Sequence, residues 1–243
     1  SIDEALAAVA GAAAAGRWLA EPPPLPHAPE TRHQHAAETL TEADAKALLA
    51  AAGVTIPRSR RGTAESLDAA ELRYPVVAKA AGLAHKSEAG AVIVDIADEV
   101  QLAAALKRLG KISDQALVEE QVTDAVAELL VAVRREYPIG TTLVLGSGGT
   151  MVELLDDTAT KLLPSDADEI HAMLNNLKIG TLLAGHRGSP AANEAAIVTT
   201  VAVLAELMDA RPDIVEIEIN PLLATPTGAV AVDALITLGE ESE

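Results

Sequence analysis

The spacing of apolar residues separates an irregular N-terminal part of the chain from a regular main body. Residues 2–20 are rich in alanine and predict a short helix. Residues 21–38 (EPPPLPHAPETRHQHAAE) are rich in proline and have no apolar periodicity, which is typical of a linker. Its clustered His27, His33 and His35 are compatible with a metal site, but a solvated linker explains them more simply. We therefore predict an N-terminal helix and linker over residues 1–38 and a folded domain over residues 39–243.

The main body alternates helical and strand-like segments. Capping residues and closing glycines mark the helices, and short aliphatic runs mark the strands. The first predicted helix covers residues 41–53, with Thr41 as N-cap and Gly53 as stop, and the second covers 98–109 and is closed by Gly110. Ser165 and Ser189 cap two further predicted helices. The second of these has Pro190 at its first position and runs to about Met208. The predicted strands are 76–80, 91–96, 116–122, 129–134, 142–145, 151–155, 214–220 and 229–235. We expect a mixed α/β (α+β) protein.

Polar residues alternate with apolar ones along the predicted strand 214–220. Glu218 and Asn220 lie on its polar face, because successive side chains of a strand point to opposite faces. The next predicted strand carries one acid, Asp233, among apolar residues. If residues 225–228 (TPTG) form a four-residue hairpin loop, the register of the hairpin puts Asn220 opposite Asp233.

This pairing predicts a divalent-cation site. Opposed Cβ atoms lie about 4.5 to 5.5 Å apart, so the Asn220 amide oxygen and the Asp233 carboxylate can meet one ion. Magnesium takes oxygen ligands and completes its shell with water and substrate phosphates. Glu218, on the same face, is a further candidate ligand. The alternative is an exposed sheet face with ordinary acids; Pro221 after Asn220, and the cost of an unpaired acid in an apolar strand, disfavour it.

A lysine within an apolar strand and the loop that follows it indicate an anionic ligand. Lys79 lies in PVVAKAA, where a buried ammonium needs an anionic partner such as phosphate; a lysine that reaches solvent is the alternative. Residues 82–90 (GLAHKSEAG) place His85 and Lys86 between two glycines, whose amides can approach phosphates closely. A histidine can accept a phosphoryl group, although a loop histidine is more often an ordinary surface residue.

A second glycine-rich segment, 146–150 (GSGGT), follows the predicted strand 142–145. Gly146, Gly148 and Gly149 resemble a phosphate cradle, but the segment is neither a Walker A loop nor a dinucleotide fingerprint. A tight turn is the more common meaning of such a segment. Glu153, shortly after it, is a candidate second carboxylate for the metal region.

The net charge and the composition exclude several classes of binding partner and of functional site. The formal net charge of −18 opposes attraction to nucleic acids and anionic membranes. The absence of cysteine excludes disulfides, thiolate metal sites and a cysteine nucleophile. Residues 2–20 lack the pattern of a signal peptide, and no apolar run is long enough to cross a bilayer. We expect a cytoplasmic protein with no nucleic-acid or membrane partner, and the first residue, Ser1 rather than Met, is compatible with a fragment or with a trimmed chain.

Taken in order, eight segments resemble the ATP-grasp domain of ADP-forming acyl-CoA synthetases of the acetate–CoA ligase type. They lie within residues 40–236 and read VVAKA, GLAHKSEAG, ALVEEQV, AELLVAVRRE, VLGSGGTMVELLDD, LLAGHRGSP, EIEINPLLA and VAVDALI. The resemblance implies an ATP-grasp fold of two lobes, the smaller at about 54–116 and the larger at about 117–243, with a nucleotide cleft between them.

The resemblance also implies roles for individual residues. Lys79 would bind the nucleotide phosphates, and the EEQV segment would form the hinge beside the adenine. Asn220 and Asp233 match the magnesium ligands of the family, in agreement with the hairpin register. The implied nucleotide-binding set is Lys79, Lys86, Glu119, Glu120, Gln121, Val122 and Glu128, with Gly146, Gly148 and Gly149 as the phosphate loop.

The implied reaction passes a phosphoryl group through histidine. In this family it moves from an acyl phosphate to a histidine of the CoA-binding part and then to ADP, and His85 matches a second histidine used in the nucleotide part. Acyl-CoA, ADP and phosphate give acid, CoA and ATP reversibly, with Mg²⁺ and ADP or ATP as cofactors. The implied partners are CoA-binding and ligase domains in the same or another chain, so this chain alone is expected to bind nucleotide without full turnover. Ala91 departs from the family, in which a second glycine is common.

Two other functions stay open from the sequence. A nucleotide- or ligand-sensing module of a synthetase-like protein acyltransferase fits the same motifs. An ATP-grasp ligase that joins a carboxylate to an amine is disfavoured by the match at His85. No residue of this chain identifies the acyl substrate or distinguishes ATP from GTP.

Overall fold

The structure is a computed structural model that describes residues 1–20, 36–82, 91–149 and 156–239. In chain order its helices are α1 (Ile2–Ala20), α2 (Glu42–Ala52), α3 (Glu99–Leu109), α4 (Ala167–Asn176), α5 (Gly180–Leu183) and α6 (Glu194–Ala210). The strands are β1 (Ala36–Thr39), β2 (Ser59–Thr63), β3 (Val76–Ala80), β4 (Val92–Ile96), β5 (Gln115–Glu120), β6 (Ala127–Glu136), β7 (Gly140–Ser147), β8 (Thr158–Leu162), β9 (Ile214–Ala224), β10 (Ala229–Ala231) and β11 (Ala234–Gly239).

The described strands form two antiparallel sheets. The larger sheet has the order β1-β11-β9-β6-β7-β8, with β10 paired to β9, and the smaller sheet has the order β2-β5-β3-β4. Each sheet has its own hydrophobic core. The mixed α/β architecture with two lobes, expected from the sequence, is confirmed.

The larger sheet buries one face against helices. Alternate residues of its central strands point into this core, as the two-residue period of a strand requires. Apolar stripes of α2, α4 and α6 cover them. The fully or almost fully buried residues of this core include Leu49, Leu129, Val131, Val133, Leu174, Ile197, Leu204, Met208, Ile217, Ile219 and Ile236.

The smaller sheet is covered by α3. Val76, Ala78 and Val118 from the sheet pack with Leu106 and Leu109 of the helix. Because β5 is part of this sheet, the smaller lobe extends to Glu120, and the lobe boundary predicted near residue 117 falls inside β5.

Helix α2 packs on the larger core although it precedes the smaller lobe in the chain. Ala45 and Leu49 of this helix are completely buried there. The prediction of this helix is confirmed: Thr41 is its N-cap, and Gly53 adopts the left-handed conformation, with φ of 106°, at its end. The second predicted helix is confirmed as α3, with Asp98 as its N-cap.

Several boundaries differ from the predictions. The predicted linker ends earlier, because residues 36–39 form β1 and pair with β11. The helix predicted to have Ser165 as its N-cap has Asp166 instead, one residue later, and Asp166 forms a capping box with Glu169. Residues 21–35, with the three linker histidines, and the predicted strand 151–155 lie outside the described residues.

The helix predicted from Ser189 begins at Glu194 instead. Asn193 is its N-cap, and the Asn193 amide oxygen accepts from the backbone N–H of Ala196 at 3.1 Å. The Asn193 amide nitrogen also donates to the Thr227 carbonyl of the hairpin loop at 3.3 Å. This contact across the fold selects the later start over the local Ser-Pro signal.

In the described parts of the chain, none of the helices combines the length and hydropathy needed to cross a membrane.

Asn193→Ala is expected to lower the free energy of unfolding by about 1 kcal/mol, because it removes the N-cap of α6. Urea denaturation measures the change. Ser189→Ala is the matched control and should change stability by only a few tenths of a kcal/mol. A larger loss for Ser189→Ala than for Asn193→Ala would contradict the observed helix start.

Candidate nucleotide and metal site

The hairpin register predicted from the sequence is confirmed. Ala224 pairs with Ala229 on one side of the predicted contact, and Ile219 pairs with Ala234 on the other. Asn220 therefore lies opposite Asp233, and the Asn220 N–H donates to the Asp233 carbonyl at 3.2 Å. The predicted strand 229–235 is interrupted, however, since β10 ends at Ala231 and β11 begins at Ala234.

A β-bulge in β9 coincides with Asn220. Leu129 of β6 pairs with Leu222, whereas Val131 pairs with Ile219, so Asn220 and Pro221 together oppose a single residue of β6. Proline has no N–H to donate to a neighbouring strand, so Pro221 is tolerated at a bulge. A bulge also changes the direction in which the side chains of its strand point.

The glycine-rich segment lies against this bulge. The Gly149 N–H donates to the Asn220 amide oxygen at 2.9 Å, and the Gly148 N–H donates to the Glu128 carbonyl at 2.7 Å. A Cβ atom on Gly148 would lie 2.6 Å from the Leu129 carbonyl oxygen, and Gly149 has φ of +69°. The glycines therefore serve a close turn, the alternative left open by the sequence, and this turn orients a candidate metal ligand.

Asp157 holds the same turn from the other side. Its buried carboxylate accepts from the Ser147 hydroxyl at 2.7 Å and from the backbone N–H groups of Lys178 and Ile179 at 2.8 and 3.0 Å. Burial alone would raise the pKa of Asp157, but these three hydrogen bonds outweigh it and lower the pKa. The turn is thus anchored to the start of α5 by an ionised side chain.

Two lysines and two glutamates form a buried cluster between the lobes. We call Glu42, Lys46, Lys79 and Glu119 the interlobe cluster. The Lys79 ammonium donates to Glu42 Oε1 at 2.7 Å, to the Val232 carbonyl at 2.6 Å, and lies 2.9 Å from Glu119 Oε2. The Lys46 ammonium contacts the same three residues: Glu42 Oε1 at 3.2 Å, Glu119 Oε1 at 2.5 Å and the Val232 carbonyl at 2.7 Å.

All four side chains of the interlobe cluster are at most 8% exposed. Burial, followed by the Lys79 charge, lowers the pKa of Lys46. Burial alone would also lower the pKa of Lys79, but Glu119, Glu42 and Asp233 outweigh it and raise the pKa above its ordinary value. Lys79 therefore has anionic partners, as its position in an apolar strand required. Those partners are carboxylates of this chain.

The interlobe cluster adjoins the Asn220–Asp233 pair. Val232, whose carbonyl both lysines share, directly precedes Asp233 in the connection between β10 and β11. The Asp233 charge contributes to the raised pKa of Lys79, as expected for an acid that directly follows the residue whose carbonyl Lys79 binds. The structure thus brings Lys79 together with Asn220 and Asp233, which follow it by 141 and 154 residues in the chain.

A cleft of about 260 Å³ opens beside this junction. Its lining includes Glu42, Arg61, Gly82 and Gln115. Gly82 directly precedes the segment that contains His85 and Lys86, and these two residues lie outside the described part of the chain, as does Glu153.

The other candidate residues have partners elsewhere in the fold. The Glu218 carboxylate lies 3.2 Å from an Arg134 guanidinium nitrogen, and it shares this arginine with Glu216. Glu120 accepts from the Arg73 N–H at 3.1 Å, and the Gln121 amide bonds with Asp95. These contacts leave the predicted ligand roles of the three residues as predictions.

Glu128 and Val122 are the remaining described candidates. Glu128 is exposed on β6, and its carboxylate lies where a Cβ of Gly149 would be, so it borders the glycine turn. Val122 is half-buried just after β5.

The oxygen atoms of Asn220 and Asp233 fit magnesium better than a metal ion whose ligands all come from the protein. Among the described residues, no group of three or more His, Cys, Asp or Glu could hold a metal ion. Asn220 and Asp233 supply one amide oxygen and one carboxylate. The Asn220 oxygen accepts one hydrogen bond from Gly149 and keeps a second lone pair. Few protein ligands, with phosphates completing the shell, are the usual arrangement for magnesium.

The sequence prediction missed Glu42, Lys46, Asp157 and the Val232 carbonyl. One signal was present: Glu42, Lys46 and Leu49 have helical spacing, which puts two charges on the buried stripe of α2. No local pattern marks the Val232 carbonyl, because its role depends on lysines from two other elements.

The fold and the site together define the class of protein. Residues 31–238 match a family model described as an ATP-grasp domain. The chain therefore belongs to the ATP-grasp family, as its motifs predicted.

Relatives within this family are synthetase components. The chain is 28% identical over 212 residues to the β subunit of acetate–CoA ligase (ADP-forming) I from Pyrococcus furiosus, covering 82% of this chain and 91% of that one. It is 31% identical over 210 residues to a trans-feruloyl-CoA synthase from an unknown prokaryotic organism, covering 80% of this chain but 30% of that protein. The chain thus spans less than a third of this longer relative.

A solved structure has the same fold over most of the chain. The acetyl-coenzyme A synthetase 1 of Ca. Korarchaeum cryptofilum, in complex with coenzyme A, Ca-AMPCP and HgCl+, superposes with a TM-score of 0.76 and 26% identity, covering 83% of this chain and 93% of that one. The same enzyme with coenzyme A and Mg-AMPPCP gives a TM-score of 0.73 and 28% identity, covering 82% and 92%.

Gly148→Ala is expected to destabilise the protein by about 1–3 kcal/mol, because the added methyl group would push against the backbone of β6. Chemical denaturation measures the loss. Gly228→Ala in the hairpin loop is the control, since a Cβ there meets nothing within 4 Å. Equal stability of the two variants would contradict the close packing of the glycine turn.

Asp157→Asn is expected to reduce the acid sensitivity of stability. Because the folded-state pKa of Asp157 is lowered, its ionised form stabilises the fold fully above the unfolded pKa of about 3.9, and this contribution is lost as pH falls through the folded pKa. Denaturation midpoints at a series of pH values from about 6 to 3 test this. The variant should be less stable at neutral pH, with a difference from the wild type that shrinks in acid; a difference independent of pH would argue against an ionised Asp157.

Proposed function

We propose that this chain is the nucleotide-binding component of an ADP-forming acyl-CoA synthetase, an acid–CoA ligase. It would transfer a phosphoryl group between ADP or ATP and a phosphohistidine. One observation carries the proposal. The Lys79 ammonium donates a 2.6 Å hydrogen bond to the Val232 carbonyl, and the next residue, Asp233, lies opposite Asn220 in the hairpin. In this proposal a phosphate-binding cation and a pair of magnesium ligands lie together at the junction of the two lobes, next to the cleft that Glu42 lines.

The residues of the chain divide the work of holding the nucleotide. The Lys79 ammonium would contact the phosphates, and Asn220 and Asp233 would hold magnesium. The Gly149 N–H orients the Asn220 amide, and Asp157 anchors the turn from which that N–H comes. When bound, magnesium supplies positive charge that offsets the charge of the transferring phosphoryl group. The turn and the bulge would hold these two side chains in position before the nucleotide arrives.

The shares of the relatives that this chain covers support the involvement of further catalytic domains. The chain covers almost the whole β subunit from Pyrococcus furiosus but only 30% of the feruloyl-CoA synthase, so the longer relative contains further domains. We therefore propose that CoA-binding and ligase domains, in the same or another chain, complete the reaction. Acyl-CoA, ADP and phosphate would give acid, CoA and ATP, and the reverse.

We assign His85 as the phosphoryl-accepting residue of this chain, with Lys86 beside it. The support comes from its sequence motif and from Gly82, which lines the cleft next to Glu42 and directly precedes the segment that contains His85. In the structure of the Korarchaeum enzyme with Mg-AMPPCP, a phosphohistidine segment points towards the nucleotide binding site. A histidine near the cleft of this chain would fit the same transfer.

Asp233→Asn is expected to weaken the binding of Mg·ADP by about tenfold or more, because it removes the charged magnesium ligand. Metal-free ADP should bind the variant at least as well as the wild type, since a negative charge near the phosphates is lost. Isothermal titration with ADP, in magnesium and in EDTA, measures both affinities.

Glu216→Gln is the matched control. It removes one carboxylate from the same strand as Asn220, where Glu216 pairs with Arg134 at 2.5 Å. Its nucleotide affinities should stay within about twofold of the wild type, as expected for a charge outside the site. If Asp233→Asn left the magnesium dependence unchanged, the assigned metal site would be wrong.

A further inference from the structure

We propose that Glu42 makes the site select the metal-bound nucleotide over the metal-free one. The Glu42 carboxylate binds the Lys79 ammonium, so a phosphate group has to displace this carboxylate before it can bind Lys79. The inference rests on the proposed nucleotide-binding function and adds a residue that controls its specificity.

Three acceptors of this chain surround the Lys79 ammonium. It donates hydrogen bonds to Glu42 and to the Val232 carbonyl at 2.7 and 2.6 Å, and it forms an ion pair with Glu119 at 2.9 Å. A phosphate oxygen can reach this ammonium only by replacing one of the three acceptors. The nucleotide therefore competes with the protein for Lys79.

Of the three acceptors, Glu42 is the one that a ligand can replace. The Val232 carbonyl is part of the backbone. Glu119 gives one oxygen to each lysine and lies on β5, which is paired on both sides by β2 and β3. Glu42 shares a single oxygen between the two lysines, occupies the first position of α2, and lines the open cleft.

Lys46 provides a place for the displaced carboxylate. Lys46 lies one turn after Glu42 on α2 and already contacts the same Glu42 oxygen at 3.2 Å. When phosphate takes Lys79, Glu42 can keep its charge paired with Lys46, so no buried carboxylate is left without a cation.

The charges explain why the metal-bound nucleotide is favoured. The two ammonium groups and two carboxylates of the interlobe cluster cancel, and Asp233 adds a negative charge next to them. A metal-free nucleotide brings its phosphate charges into a cleft with no net positive charge, within a chain of net charge −18. Bound magnesium reduces the ligand charge and is attracted by Asp233. Neutralising Glu42 leaves the cluster with one net positive charge and frees Lys79, which should remove much of this selectivity.

The test is titration of ADP, in EDTA and in magnesium, into the wild type, Glu42→Gln and Asp44→Asn. Glu42→Gln should bind metal-free ADP about tenfold more tightly than the wild type, and its affinity for Mg·ADP should change by less than about threefold. Asp44→Asn removes one charge from the same helical turn, but Asp44 is exposed and contacts Thr41 and Arg61 rather than Lys79. Both affinities of this control should match the wild type.

The outcomes separate the two proposals. If the wild type binds Mg·ADP and Glu42→Gln gains no affinity for metal-free ADP, the role of Glu42 is overturned and the proposed function stands. If neither protein binds ADP under either condition, both proposals fail. An equal gain in Asp44→Asn would mean that general charge, and not occupation of Lys79, controls selectivity, which also overturns the inference.

Glu42→Asp covers the case in which Glu42→Gln does not fold, as judged by circular dichroism. It keeps the charge but withdraws the carboxylate from Lys79 by one methylene. The expected result is a smaller gain in affinity for metal-free ADP, about threefold, at the same Mg·ADP affinity. No gain would overturn the inference.

Discussion

The rest of the structure depends on pairing two buried ammonium groups with two buried carboxylates between the lobes. Each of these charges would cost several kcal/mol if left unpaired away from water. Lys79 and Glu119 belong to the smaller sheet, whereas Glu42 and Lys46 belong to a helix embedded in the larger core. Satisfying all four charges therefore requires the two lobes to meet at this point. The same requirement draws the Val232 carbonyl out of the strand ladder, and β10 ends just before it.

The break in the hairpin strand connects the interlobe cluster to the proposed metal site. The Val232 carbonyl faces the two lysines, Asp233 directly follows Val232 in the chain, and Asn220 lies across the hairpin from Asp233. The bulge at Asn220 and Pro221 and the Gly149 N–H orient the amide side chain. The proposed nucleotide site thus includes contacts that also join the two lobes, so a phosphate that binds Lys79 would replace one of these protein contacts.

Sequence reasoning succeeded where the deciding information was local. The four-residue loop and the alternation along β9 were enough to place Asn220 opposite Asp233, and Thr41 and Gly53 were enough to bound α2. It missed β1, β2 and β8, which are three of the four edge strands of the two sheets, because edge strands bury less and show weak apolar alternation. It also missed Lys46 and the true start of α6. Their partners, Glu119 and Thr227, are distant in the sequence.

The most direct measurement of the central claim is the position of the metal in a complex of this chain with a non-hydrolysable nucleotide. Crystals grown with Mn²⁺ in place of Mg²⁺ would locate the ion by its anomalous scattering. We predict one peak within coordination distance of the Asn220 amide oxygen, the Asp233 carboxylate and the nucleotide phosphates, with a phosphate oxygen bonded to Lys79. An ordered nucleotide whose metal lies away from both Asn220 and Asp233 would contradict the account.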